Sequence, residues 1–330
     1  MTAPHLQTMT AQEYIESQIS SLNSPMEHID NSPQRLEDVI YARVMSKKFR
    51  KLKPGQECVE LTKKAIELCV AEQKPITIFE MFGGNKLWRL EEAPDIDWAE
   101  LFSMVYFAKW MRYIASVYEP GVEFVYFSQD ISVERLNNVS RSETDVYSAQ
   151  MRQLIDWLQP QMPANTHFTY QRHFELFDDP SRYDAEIEEA KKIVMAANNG
   201  ELPSLTERMK ATTELNVRLK PGQANDSHWR EKVELEHQAI FKTKTLQEPM
   251  SNPYKIWTCP TYYPDSVVTG STKKSLAKFW AGVGVLERKN DGFAEIVLTP
   301  KQLAVAEYTW EPVNIPGLPG KNFQRVRVLN

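Results

Sequence analysis

The sequence predicts an α/β fold: a Rossmann-like, mostly parallel sheet with additional helices and a C-terminal β-hairpin. Residues 76–82 and 122–127 are short apolar runs rich in β-branched and aromatic side chains, the profile of buried strands. Between them, residues 98–118 form a long apolar segment of helical length. Strand, loop, helix, strand is a βαβ unit, whose strands run parallel with a right-handed crossover. Towards the C-terminus, residues 283–287 and 293–298 flank Asn290-Asp291-Gly292, a hairpin signal.

The 330 residues, 42% hydrophobic and 11% aromatic, suffice for a sizeable core. A net charge of -5, with both signs interspersed and no basic run, argues against nucleic acid as a partner. Cys58, Cys69 and Cys259 lack CxxC spacing, so neither a disulfide framework nor a zinc knuckle is expected and a reducing compartment fits. The start, MTAPHLQTMTAQEY, has no charged-then-apolar leader, which makes the cytoplasm the expected location. Residues 98–118 carry Glu100, Lys109 and Arg112, the mark of a core helix rather than a membrane span.

Residues 1–35 are polar and are expected to form an extension that packs loosely or stays mobile. A single α/β catalytic domain then covers 36–330, with helical insertions around 182–245. Helices are predicted at 36–50 and 57–73, the second with Val59, Ala65, Ile66, Cys69 and Val70 at rough 3.6 spacing. Pro75 and Gly83-Gly84 bound the first strand. Asp97 and Glu100 form a capping box for the long helix, which closes at Glu119-Pro120-Gly121. Lys109, Arg112 and Ser116 recur at i, i+3 and i+7, predicting one exposed strip on a buried helix. A helix at 143–158, a strand at 167–170 and a charged helix at 183–198 closed by Gly200 follow. Next come a helix starting at Ser204 with Glu207 as its capping partner, a helix at 227–243 and a strand at 255–258. There is no internal repeat, and the tail NIPGLPG is irregular.

Gly83-Gly84-Asn85-Lys86 stands at the carboxyl end of the first strand, where open α/β sheets place their ligands. Glycines there free backbone N–H groups to face an anion, with Lys86 and Arg89 as its charges. The pattern is neither GxGxxG nor GxxxxGK[ST], so a turn with a solvated lysine competes. Ser128-Gln129-Asp130 follows the second strand, with Glu134, Asn137 and Asn138 close behind, and this loop should face the glycine loop across a crevice. Asp130 is there a candidate to hold an ammonium group or act as a base, against the plainer reading of a turn cap with a solvated Glu134. Gly270 to Ser275, with Lys273 and Lys274, resembles half a phosphate cradle, although Asp265 stands where Walker A needs glycine. His167 and His173 flank a strand end as acid/base candidates. His28 and Asp30 have HxD spacing without an evident third ligand, so neither metal nor other cofactor is expected.

Taken together, FGGNK, then PDIDWAE at 94–100, then Tyr118-Glu119-Pro120-Gly121 and the strand VEFVYF running into SQD resemble the isocyanide synthase family, also called the pyoverdine/dityrosine biosynthesis family. Tyr147 in the next helix fits as well. The match is clearest over residues 75–180. In the C-terminal third, KIWTCPTYYPD occupies the region of the family's arginine-rich strand and histidine-proline segment, and Gln129 interrupts its Ser-Asp pair. The resemblance implies a Rossmann-like domain with extra helices and an enzyme of secondary metabolism. That enzyme joins the amine of an amino acid to the ketone of ribulose 5-phosphate, whose carbon becomes the isocyanide carbon, without metal or cofactor. Under it Gly83, Gly84, Asn85, Lys86, Arg89, Ser128, Lys273 and Lys274 bind substrate, chiefly its phosphate and carboxylate. Asp130 holds the ammonium or acts as a base, His173 shuttles a proton, and Glu134 is a third catalytic candidate. Partners are then small molecules, with neither nucleic acid nor membrane, and a homodimer is the one protein assembly it leaves open. Two rivals stand beside it: other nitrogen chemistry on an amino-acid amine, and a non-catalytic metabolite-binding protein.

Overall fold

A computed structural model of the chain describes residues 9–24, 34–176, 179–261, 263–290 and 292–329. The elements run α1 (Ala11–Ser20), α2 (Leu36–Val44), α3 (Gln56–Ala71), β1 (Ile76–Phe82), α4 (Trp98–Ala115), β2 (Val122–Ser128), α5 (Asp130–Asn137) and α6 (Arg141–Leu158). They continue with β3 (Thr166–Arg172), α7 (Pro180–Ala197), α8 (Glu207–Asn216), α9 (Trp229–Ile240), α10 (Lys244–Met250), β4 (Lys255–Cys259) and β5 (Val267–Val268). The last are β6 (Val283–Lys289), β7 (Gly292–Leu298), α11 (Pro300–Leu303), β8 (Tyr308–Pro312) and β9 (Arg325–Leu329).

The main sheet has the order β3-β2-β1-β4-β5, and every pairing in it is parallel. β1 and β2 align from the Ile76–Val122 pair to the Phe82–Ser128 pair, with α4 crossing between them, as the sequence predicts. Strand order reverses between β1 and β4, which makes their carboxyl ends the topological switch point. One face of the sheet packs Phe79, Val125 and Phe127 against Tyr183 and Ile187 of α7, Ile240 of α9 and Leu246 of α10. The other face packs Ile78, Phe82, Phe124 and Tyr126 against α4 and the larger core.

The predicted hairpin is present as antiparallel β6 and β7, although its turn residue Asp291 lies outside the described residues. It belongs to a second, four-stranded sheet of order β7-β6-β9-β8. This sheet docks on the N-terminal end of α4: a Cβ on Gly284 would lie 2.3 Å from the backbone of Trp98 and Ala99, so only glycine permits that approach. Helix α4 is thus enclosed by sheets, which explains its apolar character nearly all round.

Four local expectations change. Residues 9–24 are part of the main core rather than a loose extension: α1 starts on a Thr10–Glu13 capping box and buries Ala11, Ile15 and Ile19, while Leu22 follows them inside. The same segment covers the predicted exposed strip of α4, since Lys109 donates to the Gln18 side chain and Arg112 to the Ser21 carbonyl. The stretch after Gln129, read as a loop, is α5, and α8 is capped by Thr206 rather than Ser204. Among the described residues no helix is long and apolar enough to cross a membrane.

Candidate active site

At the switch point a cavity of about 340 Å3 opens beyond the carboxyl ends of β1 and β4 and against α5. Met81 and Gly83 come from β1 and its loop, Gln129 and Val133 from the start of α5, and Cys259, Lys278 and Trp280 from β4 and the chain between β5 and β6. The sheet register brings titratable groups to this place. Glu80 pairs with Tyr126 on one side and Thr258 on the other, so the three share one face of the sheet. Thr258 donates its hydroxyl to Glu80 Oε2 at 3.4 Å.

Glu80 is buried behind the cavity wall, and burial pushes its carboxyl up to about 8, with Thr258 and the nearby Lys278 charge opposing. Lys278 keeps solvent access through the cavity while protein surrounds the rest of it. That enclosure holds its ammonium below the usual lysine range; Cys259 and Glu80 oppose the drop and Arg208 adds to it. Burial, with Glu80 nearby, raises the Cys259 thiol. The wall and the layer behind it therefore hold a carboxyl raised to about 8, a thiol raised above its usual range and an amine held below its usual range, a set suited to proton transfer.

Lys86 is elsewhere. Its ammonium is fully enclosed and donates to Asp97 Oδ1 at 2.7 Å, Glu100 Oε2 at 2.9 Å and the Phe279 carbonyl at 3.2 Å. Tyr147 donates to Glu100 at 2.9 Å, and the Gly284 N–H reaches Asp97 Oδ2 at 3.1 Å. Lys86 thereby ties the β1 loop, the start of α4 and the second sheet into one buried knot, and the expected contact with a substrate anion has no route to its ammonium. Burial and Asp97 together push Glu100 up to about 8, the Lys86 charge notwithstanding. Asn85 is also internal, donating to the Lys86 carbonyl at 2.8 Å. The two glycines serve close approach: Gly84 has φ +75°, and a Cβ there would sit 1.9 Å from Ser128 Oγ, while one on Gly83 would sit 2.8 Å from Trp280 Nε1.

The strand ends of Gly83, Gly84, Ser128 and Asp130 do converge, yet Asp130 turns inward. Arg172 donates to its Oδ2 at 2.6 Å, and the N–H groups of Ile131 and Phe174 donate to Oδ1 at 3.0 and 3.1 Å. Burial raises its carboxyl above the ordinary range despite these partners. His173 is buried between Phe127 and Tyr183, with ring centroids 5.6 and 5.1 Å away, and burial lowers it to about 4. Glu134 accepts from Arg141 and from Thr144 at 2.8 Å. Arg89 is exposed, stacks on Trp88 and donates to the carbonyls of Glu214 and Leu215 at the end of α8. Lys273 and Lys274 lie outside the cavity, Lys274 on Glu287 at 2.9 Å. Of the residues singled out in the sequence, Gly83 and Asn137 line the cavity, joined by Gln129, the residue that interrupts the Ser-Asp pair.

Glu80, Thr258, Cys259 and Lys278 were not among the sequence candidates. One signal for them exists: Glu80 is an acid inside the apolar run IFEMF, where a buried strand would otherwise have none. Among the described residues no group of three or more His, Cys, Asp or Glu side chains is placed to hold a metal ion.

Neither a family model nor a curated protein matches this chain. Among solved structures, the crystal structure of the PvcA protein from Pseudomonas aeruginosa is similar, with a TM-score of 0.60 and 15% sequence identity over 88% of this chain and 100% of that one. At that identity the likeness is one of fold, and the fold shared is the α/β arrangement that places the cavity at the switch point.

Proposed function

We propose that this chain is an isocyanide synthase-like enzyme that joins the amine of an amino acid to the ketone of ribulose 5-phosphate. The observation that carries this reading is the switch-point cavity lined by Lys278 and Cys259, with Glu80 buried behind its wall, within a PvcA-like fold. Support also comes from the motifs of residues 75–180. In the first step the substrate ammonium gives its proton to Lys278, and the free amine nitrogen attacks the ketone carbon. The carbinolamine oxygen then takes that proton back from Lys278 and leaves as water, giving a protonated imine that becomes the imine when its nitrogen gives its proton to the amine of Lys278. Lys278 fits these proton steps because it lines the cavity and its ammonium is held below the usual lysine range. Glu80 acts through Thr258 and Lys278 as a positioning residue. Phe241, Met250 and Trp257 form an apolar wall for the amino-acid side chain, while Asn137, Asn216 and His237 supply polar groups for the sugar phosphate. Asp130, held by Arg172, fixes the start of α5 and so the position of Gln129.

The test is to incubate the purified chain with an amino-acid pool and ribulose 5-phosphate and follow both by mass spectrometry. Joint consumption with a condensed product, abolished in Lys278→Met, is the expected result. Consumption of an amino acid without the sugar phosphate would favour other nitrogen chemistry, and consumption of neither would favour a binding protein.

A further inference from the structure

The interspersed charge expected from the sequence gives way over one stretch. Between Asp38 and Glu57 the chain carries Arg43, Lys47, Lys48, Arg50, Lys51 and Lys53 and no acid; between Asp265 and Glu287 it carries Lys273, Lys274 and Lys278 and again no acid. The fold lays these two stretches side by side. The Lys51 N–H donates to the Val268 carbonyl at 2.8 Å, its ammonium donates to the Thr272 carbonyl at 2.8 Å and to that of Lys273, and Arg50 bridges to Thr269. Lys47, Lys48 and Lys53 are exposed on the first loop and Lys273 on the second, and none of the four has a carboxylate partner among the described residues. Arg50 directs its guanidinium to the Met45 and Leu52 carbonyls, and the ion pairs of this face begin only at Lys274 and Lys289, both on Glu287. Burial and the Lys273 charge lower Lys51 to about 8, as expected where cations crowd without counterions.

Two leucines stand among these cations. Leu52 lies between Lys51 and Lys53 and is 45% exposed; Leu276 follows Lys273 and Lys274 and is 52% exposed. The rings beneath, Phe49 and Tyr106, are buried and offer no surface for a nucleobase to stack on. Leucines beside lysines suit a bilayer instead: acidic headgroups meet the ammonium groups while the apolar side chains enter the acyl boundary. The chain as a whole carries -5, so its remaining surface is acidic, is repelled by such a headgroup layer and turns this face towards it. We infer that the face formed by residues 47–53 and 273–276 docks on a membrane surface bearing anionic phospholipid, against the expectation of no membrane partner. None of these residues lines the switch-point cavity, so the docking is independent of the function proposed above.

Sedimentation of the full chain with lipid vesicles tests this. Vesicles of phosphatidylcholine with about one third phosphatidylserine should carry the protein down at low salt and release it as salt rises, whereas vesicles of phosphatidylcholine alone should not bind it. Each lysine near such a surface is worth about a factor of five, so Lys47→Glu/Lys48→Glu/Lys53→Glu should weaken binding by about 100-fold or more. The same change of charge on α7, α8 and α9, Lys192→Glu/Lys210→Glu/Lys232→Glu, should have far less effect. Leu52→Ser/Leu276→Ser should weaken binding by about tenfold with the salt dependence kept. All these side chains are exposed, and the parent unfolding midpoint should be retained in every variant. The inference falls if the phosphatidylserine vesicles do not bind at low salt, if phosphatidylcholine vesicles bind as well, or if the helix variant loses as much as the loop variant. It falls also if a short DNA duplex binds and the leucine pair makes no difference to the vesicles, which would mark a site for nucleic acid.

Discussion

Two lysines next to the same sheet behave oppositely. Lys86 follows β1 in a glycine loop that looks made for an anion, yet its ammonium is locked between Asp97 and Glu100. Lys278 lies in the undistinguished segment between β5 and β6, yet it borders the switch-point cavity with solvent access. The difference lies in the partners. Two carboxylates from the start of α4 reach Lys86 first, whereas the acidic groups that act on Lys278 are Glu80, raised to about 8, and the Cys259 thiol, neither of which fixes a cation. Position at a strand end selects candidates; local counterions decide which of them remains available to a ligand.

The largest expected effect comes from breaking the Lys86 knot. Lys86→Ala strips the shared cation from two buried carboxylates and should cost about 3–5 kcal/mol of stability, read from urea unfolding. Lys278→Met should shift the same midpoint little while removing turnover. A Lys86→Ala protein that unfolds like the parent but no longer binds substrate would reverse the comparison and return Lys86 to the ligand.

Gly84→Ala comes next. Its φ of +75° and the 1.9 Å approach of an added Cβ to Ser128 Oγ both oppose a side chain. A loss of about 1–3 kcal/mol is expected, with the strand ends and the cavity disturbed together. Full stability in Gly84→Ala would show that the loop moves aside easily and that close packing is not its purpose.

Much of the fold was legible because its signals are local. Pro75, Gly83 and the β-branched runs bound β1 and β2 within a residue, and the Asp97–Glu100 capping box starts α4 where expected. β8 and β9 were missed: Tyr308–Pro312 is a half-exposed edge strand ending in proline, without the apolar continuity that marks a central one. The same capping residues show where legibility stops. Asp97 and Glu100 announce a helix start, but nothing in their spacing reveals that they also face Lys86 across eleven and fourteen residues of chain. Asp130 and His173 were found by position, and their enclosure by Arg172, Phe127 and Tyr183 is a tertiary fact.

The pH dependence sharpens the comparison on the Lys278 side. Glu80 is pushed up to about 8 from an ordinary 4.5, so between these values the folded protein binds more protons than the unfolded one. Stability from this group is then fully present below 4.5 and is lost as pH climbs towards 8. Glu100 acts in the same direction. His173, lowered to about 4 from 6.5, works the other way only below 6.5, while Lys51, lowered to about 8 from 10.5, and Lys278 oppose the fall towards the upper end, so the Glu80 contribution is read over pH 6.5 to 8 as the difference from Glu80→Gln. Unfolding midpoints should fall across that window, and less steeply in Glu80→Gln. Equal slopes in both proteins would mean that Glu80 is already ionised at neutrality and holds Lys278 as a cation.

The smallest effect belongs to Lys273 and Lys274. Their loop has the glycine, small residues and lysines of a phosphate cradle, but its polar groups are already engaged. Thr272 Oγ1 accepts the N–H of Lys274 at 3.3 Å and of Ser275 at 3.1 Å while donating to the Glu295 carbonyl at 2.9 Å. Lys51 occupies the carbonyls of Thr272 and Lys273 from the other side. A phosphate would need the N–H groups that Thr272 holds, and the exposed Lys274 pairs with Glu287 at the protein surface. The double variant Lys273→Ala/Lys274→Ala should therefore unfold at the parent midpoint and leave the KM for ribulose 5-phosphate unchanged. A rise in that KM with turnover intact would place the phosphate on this loop and would make the cavity beside Lys278 a site for the amino acid alone.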